Sequence, residues 1–433
     1  MPLTPQVVVI GGGLGGLCLA HGLRTAGIGV TVHERDPSPG HRPQGYRLHL
    51  DSRGAGALHQ CLPPRLYELF TATAGLPSRR VTVLDERLRE VHGVTFDSVS
   101  AGGVPAESVS GGGESAESVS AGGVSAGGDP ATFSAPVDRM VLRQVLLAGL
   151  DDVVGYGAEF THYEHEGDRV RAWFADGGSV TGDVLVGADG VGSRVRGQLL
   201  PHARTKDLGT RCVYGRTLLD ERVAALLPPR LHEGFVSVHA SRAGLALGLV
   251  RLREDPAGAA ARLWPGLRPQ WPGDYVMWAL TLDARELPGA GAELPAAGGL
   301  HEFVKRRIST WHPDLVSLVA AAEVDQTDCV AIRSSVPVGP WRPSNVTVLG
   351  DAVHAMSPAQ GSGANCALLD AAVLCRALSG AVAAGLPLDG AIGDYERRMT
   401  GYGFAAVRAS ERAAMAGSGP LARAMFRLGR MLR

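Results

Sequence analysis

Apolar runs and helical periodicity alternate at the start of the chain. Residues 7–10 are Val-Val-Val-Ile, a short continuous apolar run that predicts a strand buried on both faces. A glycine-rich turn and a helical segment to about Ala26 follow, and residues 28–33 form a second strand that ends at Glu34. This order predicts a β-α-β unit with parallel strands.

Much of the remaining chain alternates apolar and polar residues with a period of two, which is typical of strands in an antiparallel sheet. Such strands are predicted at 80–97, 158–187, 211–218, 234–240, 244–251 and 275–282. Helical spacing is predicted at 138–150, 300–322 and most of 361–433. The Pro- and Gly-rich stretches 255–273 and 287–299 predict loops, and the apolar run 346–349 predicts one more buried strand.

The β-α-β pattern is interrupted twice by mostly antiparallel material. We therefore predict an α/β fold in which a Rossmann-like, parallel-sheet cofactor domain is discontinuous in sequence. That domain would comprise 1–80, 136–200 and 336–433, and would end in C-terminal helices. An inserted substrate domain, built mainly of an antiparallel sheet, would comprise 81–135 and 201–335.

Residues 98–127 are a Gly/Ser-rich repeat of three decapeptides, each beginning Ser-Val-Ser. Such a composition cannot bury enough apolar surface to offset the chain entropy lost on folding. We expect residues 98–128 to form an expanded hairpin loop at the rim of a sheet. A lid or a partner-binding segment is the alternative.

Composition excludes several classes of protein. The formal net charge of -1 does not suggest a nucleic-acid surface. The six cysteines form no C-x-x-C pair and no His cluster accompanies them, so we expect neither disulfides nor a metal site. We find no signal segment and no uninterrupted apolar run of about 18 residues, so we expect a cytoplasmic protein without integral membrane contact. The oligomeric state is left open.

A G-x-G-x-x-G pattern lies between the first strand and the first helix. The segment that would meet a dinucleotide contains Gly11, Gly13, Leu14, Gly15 and Gly16. Its glycines permit the tight turn, the approach of backbone to a pyrophosphate and close packing of helix on strand. Glu34, at the end of the second strand, can accept hydrogen bonds from ribose hydroxyls. Arg35 could pair with a phosphate or face solvent. This motif alone does not separate NAD from FAD.

Two further segments do make that separation. The first, Asp189-Gly-Val-Gly-Ser-Arg-Val-Arg196, follows the apolar run 184–186. The second, Gly350-Asp-Ala-Val-His354, leads into Pro-Ala-Gln-Gly-Ser-Gly-Ala-Asn over residues 358–365. With the glycine motif they make the chain resemble, over nearly its whole length, the class A flavoprotein monooxygenases, the p-hydroxybenzoate-hydroxylase-like family of single-component FAD enzymes.

The resemblance implies which residues contact FAD. Asp189 and Arg196 would lie near both FAD and the nicotinamide donor, or else Asp189 only caps a helix that has Ser193 in its first turn. Asp351 would bind the ribityl chain. The remaining residues of this third segment that would contact FAD are Gly350, Pro358, Gly361, Gly363, Ala364 and Asn365. The backbone amides at the start of the last long helix would stabilise negative charge on a reduced flavin.

Two arginines match positions of the family. Arg139 begins the helix after the first substrate strands and resembles a side chain that contacts FAD; a solvated helix residue is the alternative. Arg42 follows the second strand, where relatives often place a flavin-facing arginine. Among the histidines, His354 is expected to pack near the cofactor, and structural roles are favoured for His49 and His239.

Two predicted strands present candidate faces for a substrate cavity. Cys212, Tyr214 and Arg216 share one face of the first strand, and Tyr275, Met277 and Ala279 share one face of the second. The alternation does not indicate whether these faces line the cavity. A basic amphipathic helix is predicted at 421–433, for which packing on the cofactor domain is favoured over membrane-surface binding.

The resemblance implies an FAD-dependent monooxygenase that takes electrons from NADPH or NADH as a transient donor. Oxygen would add to the reduced flavin as a hydroperoxide, and one oxygen atom would enter an electron-rich aromatic or polyene small molecule, in specialised metabolism. The sequence identifies no catalytic side chain, as expected where the cofactor does the chemistry. Hydroxylation, epoxidation and Baeyer–Villiger insertion stay open. The alternatives are a structural-FAD protein acting as a cyclase or binding scaffold, and a flavin-dependent halogenase.

Overall fold

The computed structural model describes residues 4–41, 45–95, 129–240, 243–288 and 294–418, with the side chains of 415–418 left out. The repeat at 98–127, Arg42 and the helix predicted at 421–433 lie outside the described residues.

The described strands and helices include the predicted ones, in the predicted order, together with others that the sequence analysis did not predict, such as the helices Ser52–Cys61 and Pro64–Ala72. The strands are β1 (Gln6–Ile10), β2 (Gly29–His33), β3 (Arg47–Leu50), β4 (Arg80–Asp85), β5 (Glu90–Thr95), β6 (Ala135–Asp138), β7 (Val154–Gly155), β8 (Phe160–Glu166), β9 (Arg169–Phe174), β10 (Ser179–Gly182), β11 (Val184–Gly187), β12 (Thr205–Leu218), β13 (Gly234–His239), β14 (Ala243–Val250), β15 (Tyr275–Asp283), β16 (Asp328–Ser335) and β17 (Val346–Val348). The helices are α1 (Leu14–Thr25), α2 (Ser52–Cys61), α3 (Pro64–Ala72), α4 (Arg139–Leu147), α5 (Arg194–Leu199), α6 (Glu221–Leu226), α7 (Pro256–Leu263), α8 (Ala297–Arg307), α9 (Pro313–Ala320), α10 (Asp351–His354), α11 (Gly363–Ala384) and α12 (Leu388–Ser418).

A five-stranded parallel sheet has the order β17-β11-β1-β2-β7. Its central strands are buried because α1 and α5 pack against them, as does a three-stranded antiparallel sheet of order β10-β9-β8, which is why β1 and β11 are continuous apolar runs. Helix α1 packs against α11 and α2. The sheet therefore joins strands from the beginning, middle and end of the chain.

A seven-stranded sheet has the order β16-β12-β15-β14-β13-β4-β5 and is antiparallel except for the β13–β4 pair. One face packs against α8 and α9 through buried residues such as Val213, Trp278 and Leu280. A separate two-stranded sheet pairs β3 with β6. The helix-covered face leaves the opposite face of the large sheet available for a cavity.

The two stretches predicted as loops from their Pro and Gly content contain helical residues. Helix α7 lies inside 255–273: Asp255 caps it, accepting a hydrogen bond from Gly258 N, and Pro256 occupies its first turn. A proline there is compatible with a helix because its missing N–H would have had no partner. Helix α8 begins at Ala297, inside the stretch 287–299. The loop predictions were wrong at these positions.

Helix α11 is long and apolar enough, by composition alone, to cross a membrane. The sequence analysis predicts a helix here but no membrane-spanning segment. In the fold it packs against α1, α2 and α12, and about half of its apolar window is buried inside the protein. Those contacts are typical of a core helix.

Candidate cofactor and substrate site

The three sequence motifs follow three neighbouring parallel strands. Ile10 is in register with Gly187, and Gly187 is in register with Val348. The carboxyl ends of parallel strands lie at one edge of a sheet, which is where open α/β sheets bind ligands. The fold thus brings together motifs that are far apart in the sequence.

Close packing explains two glycines of the first motif. Gly11 has φ 111°, and a Cβ atom there would lie 2.4 Å from the carbonyl oxygen of Ala188, immediately before the second motif. A Cβ on Gly16 would lie 2.2 Å from the carbonyl oxygen of Gly11. Gly13 is different, because no described atom lies within 4 Å of where its Cβ would be. The open space beside Gly13 fits the approach of a pyrophosphate.

Glu34 is buried against this loop. Its Oε2 accepts a hydrogen bond of 2.8 Å from Gly12 N, and its Oε1 accepts one of 2.9 Å from Asp36 N. The carboxylate therefore holds the glycine loop in place, and its remaining lone pairs suit a ribose hydroxyl. Arg35 is exposed.

Arg143 is a buried residue of the site that the sequence analysis missed. Its Nε donates to the carbonyl oxygen of Gly12 at 3.3 Å, and its Nη1 donates to Pro39 O. It lies on α4, one turn after Arg139, and the helical spacing was the only signal for it. Arg143 therefore binds the carbonyl oxygen of Gly12, whereas Glu34 binds its amide.

In the second motif Ser193 is the N-cap of α5, not a residue of its first turn. Asp189 Oδ2 accepts a hydrogen bond of 2.8 Å from Arg194 N, so the carboxylate also caps. Burial raises the pKa of Asp189. Arg196 donates from Nη1 to Ala352 O at 2.7 Å and from Nη2 to Val191 O. Arg196 thereby ties the second motif to the third.

In the third motif, Gly350 has φ 61°, in the left-handed region, and turns the chain into α10. The side chain of Asp351 is exposed to solvent, although burial raises the pKa of its carboxyl group. The positive charges of His354 and Arg139 act in the opposite direction on that pKa. The Asp351 carboxylate is therefore exposed and lies within the electrostatic influence of Arg139 and His354.

The N-terminus of α11 lies beside this carboxylate. A Cβ on Gly363 would lie 3.9 Å from Asp351 Oδ1, and Gly361 adopts the left-handed conformation. In the described structure no side chain caps α11, so its first amides remain for an anionic group. Pro358 is exposed and Ala364 is half-buried at this end.

Asn365 joins the third motif to β3. Its Nδ2 donates to His49 O at 2.9 Å, and its Oδ1 accepts from Asp51 N at 3.0 Å. A Cβ on Gly54 would lie 2.4 Å from that Oδ1, so α2 also depends on this contact. Asn365 is 1% exposed. In this structure its hydrogen bonds are to the protein.

The predicted cavity faces are neighbours on one surface. Tyr214 is in register with Ala279, and Arg216 with Met277. They lie opposite to the helix-covered face, and all four are half-buried. The two candidate sets therefore share the face that α8 and α9 do not cover, which we call the open face.

Polar and aromatic side chains gather at one end of this open face. Arg216 forms an ion pair with Glu323, with Nε 2.5 Å from Oε2, and its guanidinium lies over the Tyr46 ring. Tyr275 donates a hydrogen bond of 2.7 Å to Oδ2 of Asp138. Asp138 also accepts from Val141 N and so caps α4, the helix that begins with Arg139. One buried carboxylate thus connects the open sheet to the cofactor side.

His49 and His239 each lie within hydrogen-bond distance of a serine hydroxyl. Burial lowers the pKa of His49 to about 4, and its Nε2 lies 3.1 Å from Ser134 Oγ. Burial also lowers the pKa of His239, whose Nε2 lies 2.7 Å from Ser237 Oγ. Both imidazoles are neutral at physiological pH. Among the described residues, no group of three or more His, Cys, Asp or Glu could hold a metal ion.

Comparison with known proteins supports the same assignment. A model described as an FAD binding domain matches residues 291–409, and one described as an NAD(P)-binding Rossmann-like domain matches residues 9–73. A solved structure described as an FAD containing monooxygenase, from Photorhabdus luminescens subsp. laumondii, is 29% identical. It superposes with a TM-score of 0.76, over 96% of this chain and 98% of that one. The chain belongs to the class A FAD-dependent monooxygenase family.

Some curated relatives of this flavoprotein monooxygenase are longer than the chain itself. The dual O-methyltransferase/FAD-dependent monooxygenase elcB of Phaeosphaeria nodorum is 34% identical over 404 residues. The match covers 87% of this chain but only 40% of elcB. The aurachin C monooxygenase/isomerase of Stigmatella aurantiaca is 27% identical over 86% of this chain and 80% of its own length. The chain spans less than half the length of the first relatives.

Proposed function

We propose that this protein is an NAD(P)H-dependent FAD monooxygenase that inserts one atom of O2 into an electron-rich aromatic or polyene small molecule. The observation that carries the proposal is the convergence of all three motifs at one edge of the parallel sheet. We place its action in specialised metabolism in the cytoplasm, as the sequence analysis expects.

The residues present fit FAD at this edge. The open space at Gly13 and the N-terminus of α1 would receive the pyrophosphate, and Glu34 the ribose. Asp351 would hold the ribityl hydroxyls, and the uncapped start of α11 would face the flavin ring. When bound, FAD would supply the redox chemistry with NAD(P)H and O2.

We further propose that the two large sheets divide the work, with segments 1–80, 136–200 and 336–433 holding the cofactor. Segments 81–135 and 201–335 would hold the substrate against the open face of the seven-stranded sheet. In support, β4, β5 and β12–β16 all belong to that sheet, whereas β1, β2, β7, β11 and β17 form the parallel one. The protein's share in the chemistry is to orient the substrate and exclude water.

The two lysines do not favour halogenation, which needs a lysine near the flavin. Lys206 pairs with Glu411 at 2.8 Å, and Lys305 pairs with Glu302 at 2.7 Å. Lys305 lies on α8, against the helix-covered face of the large sheet.

An anaerobic spectral experiment tests the proposal. The purified protein is loaded with FAD, its visible spectrum is recorded, NADPH or NADH is added, and oxygen is then admitted. We expect the flavin absorbance to bleach and recover, faster with some aromatic compounds present. Bound flavin that is never reduced, with any candidate substrate, would contradict the enzyme and favour a structural FAD.

A further inference from the structure

We propose that Arg47 is a specificity-determining residue that binds an anionic oxygen, a phenolate or a carboxylate, on a planar aromatic substrate. The inference rests on the proposed function, because it places the substrate between the flavin edge and the open face of the large sheet. Arg47 belongs to none of the three motifs.

The backbone of Arg47 lies on the side of the proposed substrate space that is nearer to the proposed cofactor site. It lies on β3, the strand that Asn365 ties to the third motif through His49 O. Arg47 and His49 are two residues apart and point to the same side of the strand. A Cβ on Gly361 would lie 3.9 Å from His49 Cβ, so this side of β3 meets the segment expected to face the flavin ring.

The side chain of Arg47 then reaches the open face of the large sheet. Its Cζ lies 5.5 Å from the centre of the Phe235 ring on β13. A Cβ on Gly248 of β14 would lie 2.6 Å from Arg47 Cδ and 3.0 Å from Arg47 Nε. Glycine at 248 is therefore what lets the arginine lie across the sheet. The guanidinium lies in the gap between the proposed cofactor site and the substrate sheet.

The charge of Arg47 is not matched by protein. Among the described residues no carboxylate forms an ion pair with it, and its Nε is buried without a hydrogen-bond partner. Nη2 has only a long contact of 3.5 Å to Ser78 Oγ. Burial lowers the pKa of Arg47 to about 10, so it stays protonated at neutral pH. A largely enclosed cation without a partner is costly unless a ligand supplies the anion.

Arg216, a second arginine at this face among the described residues, provides the contrast. Its Nε lies 2.5 Å from Glu323 Oε2, so its charge is already compensated. An anionic ligand would gain little from Arg216 and much from Arg47, whose planar fork suits two oxygen contacts.

The surface around Arg47 suits a flat ring. Phe235, Gly248 and Met277 lie on neighbouring strands of the open face, and Ala246 and Ala279 continue it. Small side chains leave space above the sheet, and the Phe235 ring and the Met277 thioether offer apolar contact. An aromatic body with one anionic oxygen therefore matches this surface better than a neutral polyene.

Ligand binding to the FAD-loaded protein tests the proposal without turnover. The probes are 1-naphthoate against naphthalene-1-carboxamide, and 4-nitro-1-naphthol at pH 8 against its methyl ether. Perturbation of the flavin spectrum and quenching of tryptophan fluorescence give each Kd. The variants are Arg47→Met and Arg47→Lys. The control is Arg80→Met, an arginine of the seven-stranded sheet that already pairs with Glu90.

We expect Arg47→Met to weaken at least one anionic probe by about 10- to 100-fold and to leave its neutral partner unchanged. Arg47→Lys should retain part of the affinity, and Arg80→Met should bind like the wild type. The probe pair whose affinity changes in Arg47→Met shows whether Arg47 binds a carboxylate or a phenolate. Equal losses for charged and neutral probes, or no preference for either anion in the wild type, would overturn the proposal.

The outcome is distinguishable from failure of the proposed function. Flavin that is never reduced by NAD(P)H, with Arg47-dependent binding intact, would contradict only the monooxygenase. Normal reduction and reoxidation, with anion binding that ignores Arg47, would contradict only the role of Arg47.

Discussion

His354 Nε2 lies 2.7 Å from Asp370 Oδ2, and both side chains are fully buried. The same oxygen accepts a hydrogen bond of 2.7 Å from Gly350 N, and Oδ1 accepts one of 2.5 Å from Tyr402. Asp370 thus holds both ends of the short helix that carries Asp351. These buried contacts give His354 a structural role within the third motif.

His354→Gln should destabilise the apoprotein in a pH-dependent way. Burial alone would lower the pKa of His354, but Asp370 and Asp351 raise it overall. A raised pKa stabilises the fold fully below about pH 6.5, the unfolded value, and this contribution is lost as the pH rises through the folded value. Urea unfolding should show a loss of about 3 kcal/mol at pH 6 that shrinks by pH 9. A loss independent of pH, or equal to that of the exposed-residue control His59→Gln, would contradict this.

Gly11→Ala and Gly13→Ala should separate folding from cofactor binding. At Gly11 a Cβ would meet the Ala188 carbonyl at 2.4 Å with φ at 111°, so we expect a loss of about 2–4 kcal/mol in unfolding free energy. At Gly13 the space is open, so stability should stay within about 0.5 kcal/mol while FAD affinity falls at least about tenfold. Thermal unfolding and flavin titration measure the two effects. Unchanged FAD affinity in Gly13→Ala would place the pyrophosphate elsewhere.

Glu396→Gln should stabilise the protein at alkaline pH. Glu396 is buried, accepts a hydrogen bond of 2.9 Å from Thr347 Oγ1, and burial raises its pKa to about 7. Because the pKa of Glu396 is raised in the folded state, the stability that this carboxyl group contributes is present below about pH 4.5 and is lost as the pH passes 7. The variant should gain about 2–3 kcal/mol at pH 8 and little at pH 5, measured by urea unfolding. Exposed Glu68→Gln is the control, and an equal gain at both pH values would refute the assignment.

Tyr275→Phe should weaken the link between the substrate sheet and the Arg139 helix. The hydroxyl donates to Asp138, which burial has already given a raised pKa, so its removal leaves a buried carboxylate with one partner fewer. We expect a loss of about 1–3 kcal/mol in unfolding free energy. Tyr163→Phe, a buried tyrosine without this contact, is the control. Equal losses in the two variants would show that the contact with Asp138 is not the cause.

The local sequence patterns predicted the strands and turns that form the site, but not the side chains that hold those strands and turns in place. The apolar run 7–10 and the three motifs sufficed to place strand ends, because parallel strands and glycine turns leave a strong local signal. Arg143 and Asp370 left no such signal, since each acts through a partner distant in sequence. Arg47 was missed for the same reason: its surroundings come from β13 and β14. The loop predicted around α7 failed because Pro256 starts that helix and does not break it.

The strand order also has a consequence for how the protein is made. The parallel sheet needs β17, and Arg196 needs the carbonyl of Ala352, so the cradle for FAD cannot close until the last third of the chain has been synthesised. A ribosome-bound nascent chain would present the glycine loop early, yet with no neighbour to complete it. We therefore expect flavin capture to be a late event in the biogenesis of this protein.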